Sequence, residues 1–235
     1  MFRRLNSVIV LLILMWGNCS YAQSELIFHV PDFPPYTFEK DNKIQGIGIE
    51  LVDRILKEAG IQYSLKLVPN YGIAVQDVKT GSSDGFFLAS QNAERDKIAV
   101  FSNLGVINRW CWFLPAISTL NPKDAIFKTK ARVGTFLNTH THKWLMENGY
   151  SVTGSPKIDS LLEMLRMNRI NVIFLDEAVF LESISKAGEK PESYKKVVQS
   201  ETQFGIYISK DYLSKNPGVM EKISAAIKKT APHEN

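Results

Sequence analysis

Beyond residue 25 the apolar positions alternate between two spacings. Ile47, Leu51, Val52, Ile55, Leu56 and Ala59 recur at helical intervals with Glu50, Asp53, Arg54, Lys57 and Glu58 between them. That pattern predicts an amphipathic helix, closed by Gly60. Before it, residues 26–30 form a short apolar run ended by Pro31, followed over 32–43 by a loop rich in Pro and aromatics. After it, Ile61, Tyr63, Leu65 and Leu67 alternate with polar residues as a strand does. A second helix is predicted over 71–80, stopped by Gly81, and a buried strand over 86–89 whose carboxyl end is Ser90. This β-α-β-α-β order implies a right-handed parallel arrangement.

The alternation then pauses and restarts. Residues 106–114 read as extended up to Pro115, but Asn108 and Arg109 interrupt the aromatic run and argue against a plain core strand. A strand over 131–135 and a helix over 141–148 come next, then Ser155-Pro156 as an N-cap followed by Pro at N1. The helix so opened carries Ile158, Leu161, Leu162 and Leu165 on one face, and the apolar strand 171–175 ends at Asp176. A helix over 178–186, strands over 195–198 and 204–209, and a helix over 217–229 complete the chain, with a frayed tail from 230. Two successive α/β units, each with a buried strand ending in a polar residue, suggest two lobes facing a cleft.

Residues 1–22 change the picture of location. Arg3 and Arg4 precede an apolar run over 8–16, and Ser20-Tyr21-Ala22 has the small-x-small form of a cleavage site. The run is too short to span a bilayer. Export to the periplasm with cleavage after Ala22 is expected, and Asn18 before Cys19 disfavours a lipid anchor. The formal net charge is +4, and removing the leader takes away two arginines and no acid. So small an excess is no nucleic-acid footprint. Cys111 would then be the sole cysteine, flanked by Trp110, Trp112 and Phe113, and reads as a small buried core residue.

The densest candidate chemistry lies over 84–102. Ligands of open α/β sheets sit just beyond the carboxyl ends of strands, where Ser90 and Arg95 could hold a small anion through a hydroxyl and a planar guanidinium fork. A turn residue and a solvated loop charge are the plain alternative. Tyr71 and Trp110 could wall a pocket or belong to the core. His140 and His142, with His29 or His233, lack the spacing and supporting ligands of a metal site, and no cofactor motif is complete: Gly46-Ile47-Gly48 lacks the third glycine of a phosphate loop.

The order and spacing of FPPYTF, GIGIELVDRILKEAG, DGFFLASQNAERDKIAVFS, NVIFLDEAVF and FGIYISKD resemble the extracellular solute-binding proteins of family 3, the polar amino-acid-binding subunits of ABC importers. The resemblance implies an α/β, two-lobed type II periplasmic-binding-protein fold, each lobe a mostly parallel sheet flanked by helices. Lobe 1 would be discontinuous, 23–112 and 200–235, lobe 2 would be 113–199, and crossovers near 110–114 and 198–203 would join them. By resemblance, Arg95 and Ser90 would take a ligand's α-carboxylate, Asp176 its ammonium group, Tyr36 would cover it, Leu88 would offer a carbonyl, and Thr139 would match the loop opening the first helix of lobe 2. The sequence departs from the family at Asn103-Leu104-Gly105 and at Asn138 and His140.

The expected role is capture of a small polar solute for an ABC permease or a membrane sensor, by a monomer without cofactor or nucleic-acid partner. Some proteins of this kind are periplasmic cyclohexadienyl or arogenate dehydratases. In that alternative Asp176 or Glu177 would be the acid.

Overall fold

The structure is a computed structural model and describes residues 24–230. The leader, its cleavage site, Cys19, His233 and most of the expected frayed tail lie outside the described residues. Eight strands form one continuous ladder in the order β4-β1-β5-β10-β6-β9-β7-β8. They are β1 (Leu26–Pro31), β4 (Tyr63–Val68), β5 (Gly85–Ser90), β6 (Ala99–Pro115), β7 (Arg132–Phe136), β8 (Ser151–Ser155), β9 (Val172–Asp176) and β10 (Tyr194–Ser209).

The two long strands explain how one ladder makes two lobes. The second half of β10 pairs antiparallel with β5, beside parallel β1 and β4. The second half of β6 pairs antiparallel with β9, beside parallel β7 and β8. Each long strand is thus the inserted antiparallel strand of one lobe and the edge strand of the other. Between the halves, Ile107, Asn108 and Arg109 pair with Gln203, Thr202 and Glu201 and with no third strand. This two-stranded neck lies at 107–109, slightly ahead of the crossover expected at 110–114. Trp110 already pairs with Asp176.

Around the sheets pack α1 (Ile47–Glu58), α2 (Tyr71–Thr80), α3 (Ala93–Ile98), α4 (Phe127–Lys130), α5 (His140–Glu147), α6 (Ile158–Arg166), α7 (Glu177–Lys186), α8 (Lys210–Lys215) and α9 (Val219–Thr230). The predicted apolar face of α1 is inward, with Val52, Ile55 and Leu56 buried. Cys111 is fully buried, and burial pushes its thiol up to about 12.

Several local expectations are corrected. The proline-rich loop contains a hairpin, β2 (Phe38–Lys40) and β3 (Lys43–Gln45), because Asp41 and Asn42 both adopt the positive φ of a tight turn. Ser155 ends β8 rather than capping a helix: its hydroxyl donates to the Lys157 carbonyl, and α6 starts at Ile158. The strands expected over 195–198 and 204–209 are one strand.

Tight backbone approach near the cleft sets a stability requirement. A Cβ on Gly205 would stand 2.0 Å from the Phe101 ring and 2.6 Å from the Ser102 carbonyl oxygen. Gly205→Ala is expected to cost about 1–3 kcal/mol through overpacking, read as a lower midpoint in urea. An unchanged midpoint would show that β6 can shift freely.

Candidate functional site

Lobe 1 contributes a buried cation. β5 ends at Ser90, and Asn92 caps α3 by accepting from Glu94 N and Arg95 N. This cap turns what reads as a loop into a helix and seats Arg95 in its first turn. Arg95 is 6 % exposed, and its Nη1 donates to the Ser90 carbonyl at 2.7 Å. The guanidinium lies over the rings of Tyr71 and Phe86, at 5.4 and 5.7 Å. Among the described residues no carboxylate pairs with it. Burial lowers its pKa from the usual arginine value, although a guanidinium stays protonated in proteins.

The same strand carries local strain. The pairing of β5 with β10 passes from Ala89–Gly205 to Phe87–Ile206, which leaves Leu88 as a bulged residue at φ 54°. Leucine rarely adopts that conformation, and such residues collect at ligand sites. Tyr71 donates its hydroxyl to the Leu88 carbonyl. Gly48 makes room for the leucine side chain, since a Cβ there would lie 1.9 Å from Leu88 Cδ1.

Lobe 2 contributes a buried anion. Asp176 ends β9 and is 5 % exposed. It occupies the N-cap position of α7, but its side chain makes no capping bond, so the carboxylate is not spent on the helix. Burial pushes its pKa up to about 6, partly offset by Asn108 and Trp110. No cation among the described residues pairs with it. The adjacent Glu177 faces the neck instead, paired with Lys196 and, at 3.6 Å, with Arg109.

Thr139 caps α5, its hydroxyl accepting from His142 N at 3.3 Å, and sits 2.7 Å from the Thr141 hydroxyl. His140 follows, edge-on to Trp110 at 4.9 Å between ring centres. Burial, then the neighbouring Arg95, pulls its pKa to about 4, so it is neutral at pH 7.

These groups surround one small cavity of about 20 Å³ between the lobes. Arg95, Ser90, Leu88, Tyr71, Thr139, Trp110 and Asp176 all line it. Tyr36 does not: it stacks behind Phe33 at 5.7 Å and meets Phe204 edge-on. Phe33, two residues past the carboxyl end of β1, is the first-loop aromatic at the cavity, and the strand-end rule that singles out Ser90 and Asp176 would also have found it. Asn108, Thr141 and Phe204 line the cavity without having been singled out as ligand contacts, and His140, named only as a discounted metal ligand and a departure from the family, lines it too. Asn108 did carry a signal, as a polar residue inside an aromatic extended run.

Outside this cavity a second one of about 530 Å³ opens between α2, the start of α3 and α5. Tyr71, Arg95, Thr139 and His140 line both. Two of its lining residues, Lys143 and Glu94, form an ion pair between the lobes at 2.5 Å.

No family model and no curated protein matches the sequence. Among solved structures, the ligand-binding core of GluR0 from Nostoc punctiforme in complex with L-glutamate superposes with a TM-score of 0.73 at 19% identity, covering 87% of this chain and 92% of that one. The arginine-, lysine-, histidine-binding protein ArtJ from Geobacillus stearothermophilus gives 0.71 at 17% identity over 88% and 89%. An ancestral arginine-binding protein bound to glutamine gives 0.69 at 21% identity over 88% and 92%. The chain therefore has the two-lobed periplasmic-binding-protein fold, with a buried arginine and a buried aspartate lining the cavity between its lobes.

Proposed function

We propose that this protein is a solute-binding protein of the family 3 type that captures a small zwitterion, an amino acid, in the interlobe cleft and delivers it to a permease from the periplasm. One observation carries the reading: the cavity is lined by a buried cation and a buried anion, neither of which has a counter-ion among the described residues. A buried charge without a partner costs several kcal/mol. A ligand bearing both opposite charges relieves both at once.

Because the two groups come from different lobes, both ligand charges are satisfied only when the cleft closes. Lobe limits of 23–112 with 200–235, and 113–199, are proposed on the same reading, with the neck at 107–109 and 201–203 moving the first junction a few residues earlier, since residues 110–112 already pair with β9. In the dehydratase alternative Asp176 would be the acid, since Glu177 is held at the neck by Lys196 and Arg109.

The test is calorimetric titration with an amino acid, its decarboxylated amine and its deaminated acid. The intact zwitterion is expected to bind about 100-fold or more tightly than either singly charged analogue. Equal binding of the deaminated acid would remove Asp176 from the recognition. Turnover of a ring acid during the assay would replace the binding reading with the dehydratase.

A further inference from the structure

The inner cavity holds two charges and no third. Apart from Arg95 and Asp176, its lining side chains are aromatic, aliphatic, hydroxyl, amide or imidazole. If those two residues take the α-carboxylate and α-ammonium, as proposed above, a charged ligand side chain would lie among Phe33, Tyr71, Trp110 and Phe204 without a counter-ion. Such a site rejects charge by desolvation. The outer cavity does contain charges: Lys143 there is already paired with Glu94 and Glu147, and Lys79 lies in the last turn of α2, at the other end of the helix from Tyr71, so that only a side chain reaching well out of the inner cavity would meet it.

Asn108 adds a second constraint. It is 2 % exposed, lines the inner cavity, and its Nδ2 has no aligned acceptor. One N–H of this amide stands close enough to the Asp176 carboxylate to favour its ionised form, though not in aligned hydrogen-bond geometry, which leaves the second N–H without an acceptor beside the ammonium end of the site. Buried amide donors are seldom left unpaired, because each costs the full desolvation of the group. A ligand acceptor at that position would complete it.

Size is the third constraint. At about 20 Å³ the cavity is on the scale of a single water, so the lobes must part to admit any amino acid, and a short side chain asks the least of that opening. Phe33, which lines the cavity from lobe 1, lies parallel to Phe136 of lobe 2 with ring centres 6.1 Å apart, an aromatic contact between the lobes that a long side chain passing there would have to break.

We infer that the solute has a short, uncharged side chain carrying a hydrogen-bond acceptor, as serine, threonine and asparagine do, and that Asn108 reads that acceptor. This selects against arginine, lysine and glutamate, the ligands named for several proteins of the same fold.

The experiment is a calorimetric panel on the full chain with serine, threonine, asparagine, alanine, arginine, lysine and glutamate. At least one of the first three is expected to bind about 100-fold or more tightly than any charged amino acid, and about tenfold more tightly than alanine. Asn108→Leu is expected to narrow the gap to alanine to about twofold. Arginine, lysine or glutamate binding as tightly as serine, or alanine matching all three, would overturn this inference and leave the zwitterion clamp standing. Failure of every amino acid to bind would overturn both. The ligand panel on the unaltered protein decides the matter whether or not Asn108→Leu folds.

Discussion

Arg95→Met should bind the solute about two to four orders of magnitude more weakly than the parent, yet should be more stable without ligand. Both results follow from one imbalance. The guanidinium is 6 % exposed, and among the described residues it has two aromatic faces and one carbonyl around it but no carboxylate. Removing one partner of a buried charge pair costs about 3–5 kcal/mol, which is the expected loss when ligand carboxylate loses arginine.

In the ligand-free protein the ledger reverses. Methionine keeps most of the packing between Tyr71 and Phe86, and gives up one hydrogen bond worth about 1 kcal/mol. It also removes a desolvated charge costing several kcal/mol. A net gain of about 1–3 kcal/mol in urea denaturation is expected. Arg95→Lys, which keeps the charge but loses the planar fork, should fall between on affinity. If Arg95→Met instead unfolds more easily while binding is intact, Arg95 is a packing residue and not the anion anchor.

Much of this arrangement was legible as sequence because strand ends are legible. β5 and β9 are continuous apolar runs, all buried, and their terminal residues Ser90 and Asp176 are where an α/β sheet exposes chemistry. What stayed hidden depends on pairing across long distances. Nothing local to 99–115 says that a single strand serves two lobes; that is fixed by which half meets β9 and which half faces the partner of β5. Asn108 belongs to the site because it lies in the neck between those halves. Tyr36 and Phe33 are both aromatics of one loop, which is folded back by a bridge between Phe33 and Thr37, and only Phe33 lines the cavity. The helix carrying Arg95 was readable in principle, since Asn92 followed by Glu94 is a capping signature. Its six residues give too little periodicity to announce it.

Lowering the pH should weaken solute binding, and the protonation of Asp176 should account for the loss. Its carboxyl is pushed from an ordinary 3.8 up to about 6 by burial. The folded state therefore holds its proton more tightly than the unfolded chain does. The resulting stability is fully present below about pH 4 and is lost as pH rises through about 6, a total of roughly 3 kcal/mol. Asp176→Asn should remove that contribution and be more stable than the parent at pH 7 by a similar amount. Binding runs the other way, because the ligand ammonium needs the ionised carboxylate. Affinity should fall about tenfold per pH unit below about pH 6, and binding near pH 6 should release a proton, visible as a buffer-dependent heat. His140 acts oppositely on folding, because burial pulls its pKa from 6.5 to about 4 and stability is lost as pH falls through that range, so the contribution of Asp176 is read as the difference between the parent and Asp176→Asn. Affinity that stays flat from pH 8 to about 4.5 would mean that Asp176 does not hold the ammonium group. A stability difference between the parent and Asp176→Asn that does not change with pH in the same range would mean that its carboxyl is hydrated in the open cleft, so that closure by the ligand, rather than folding, is what desolvates it.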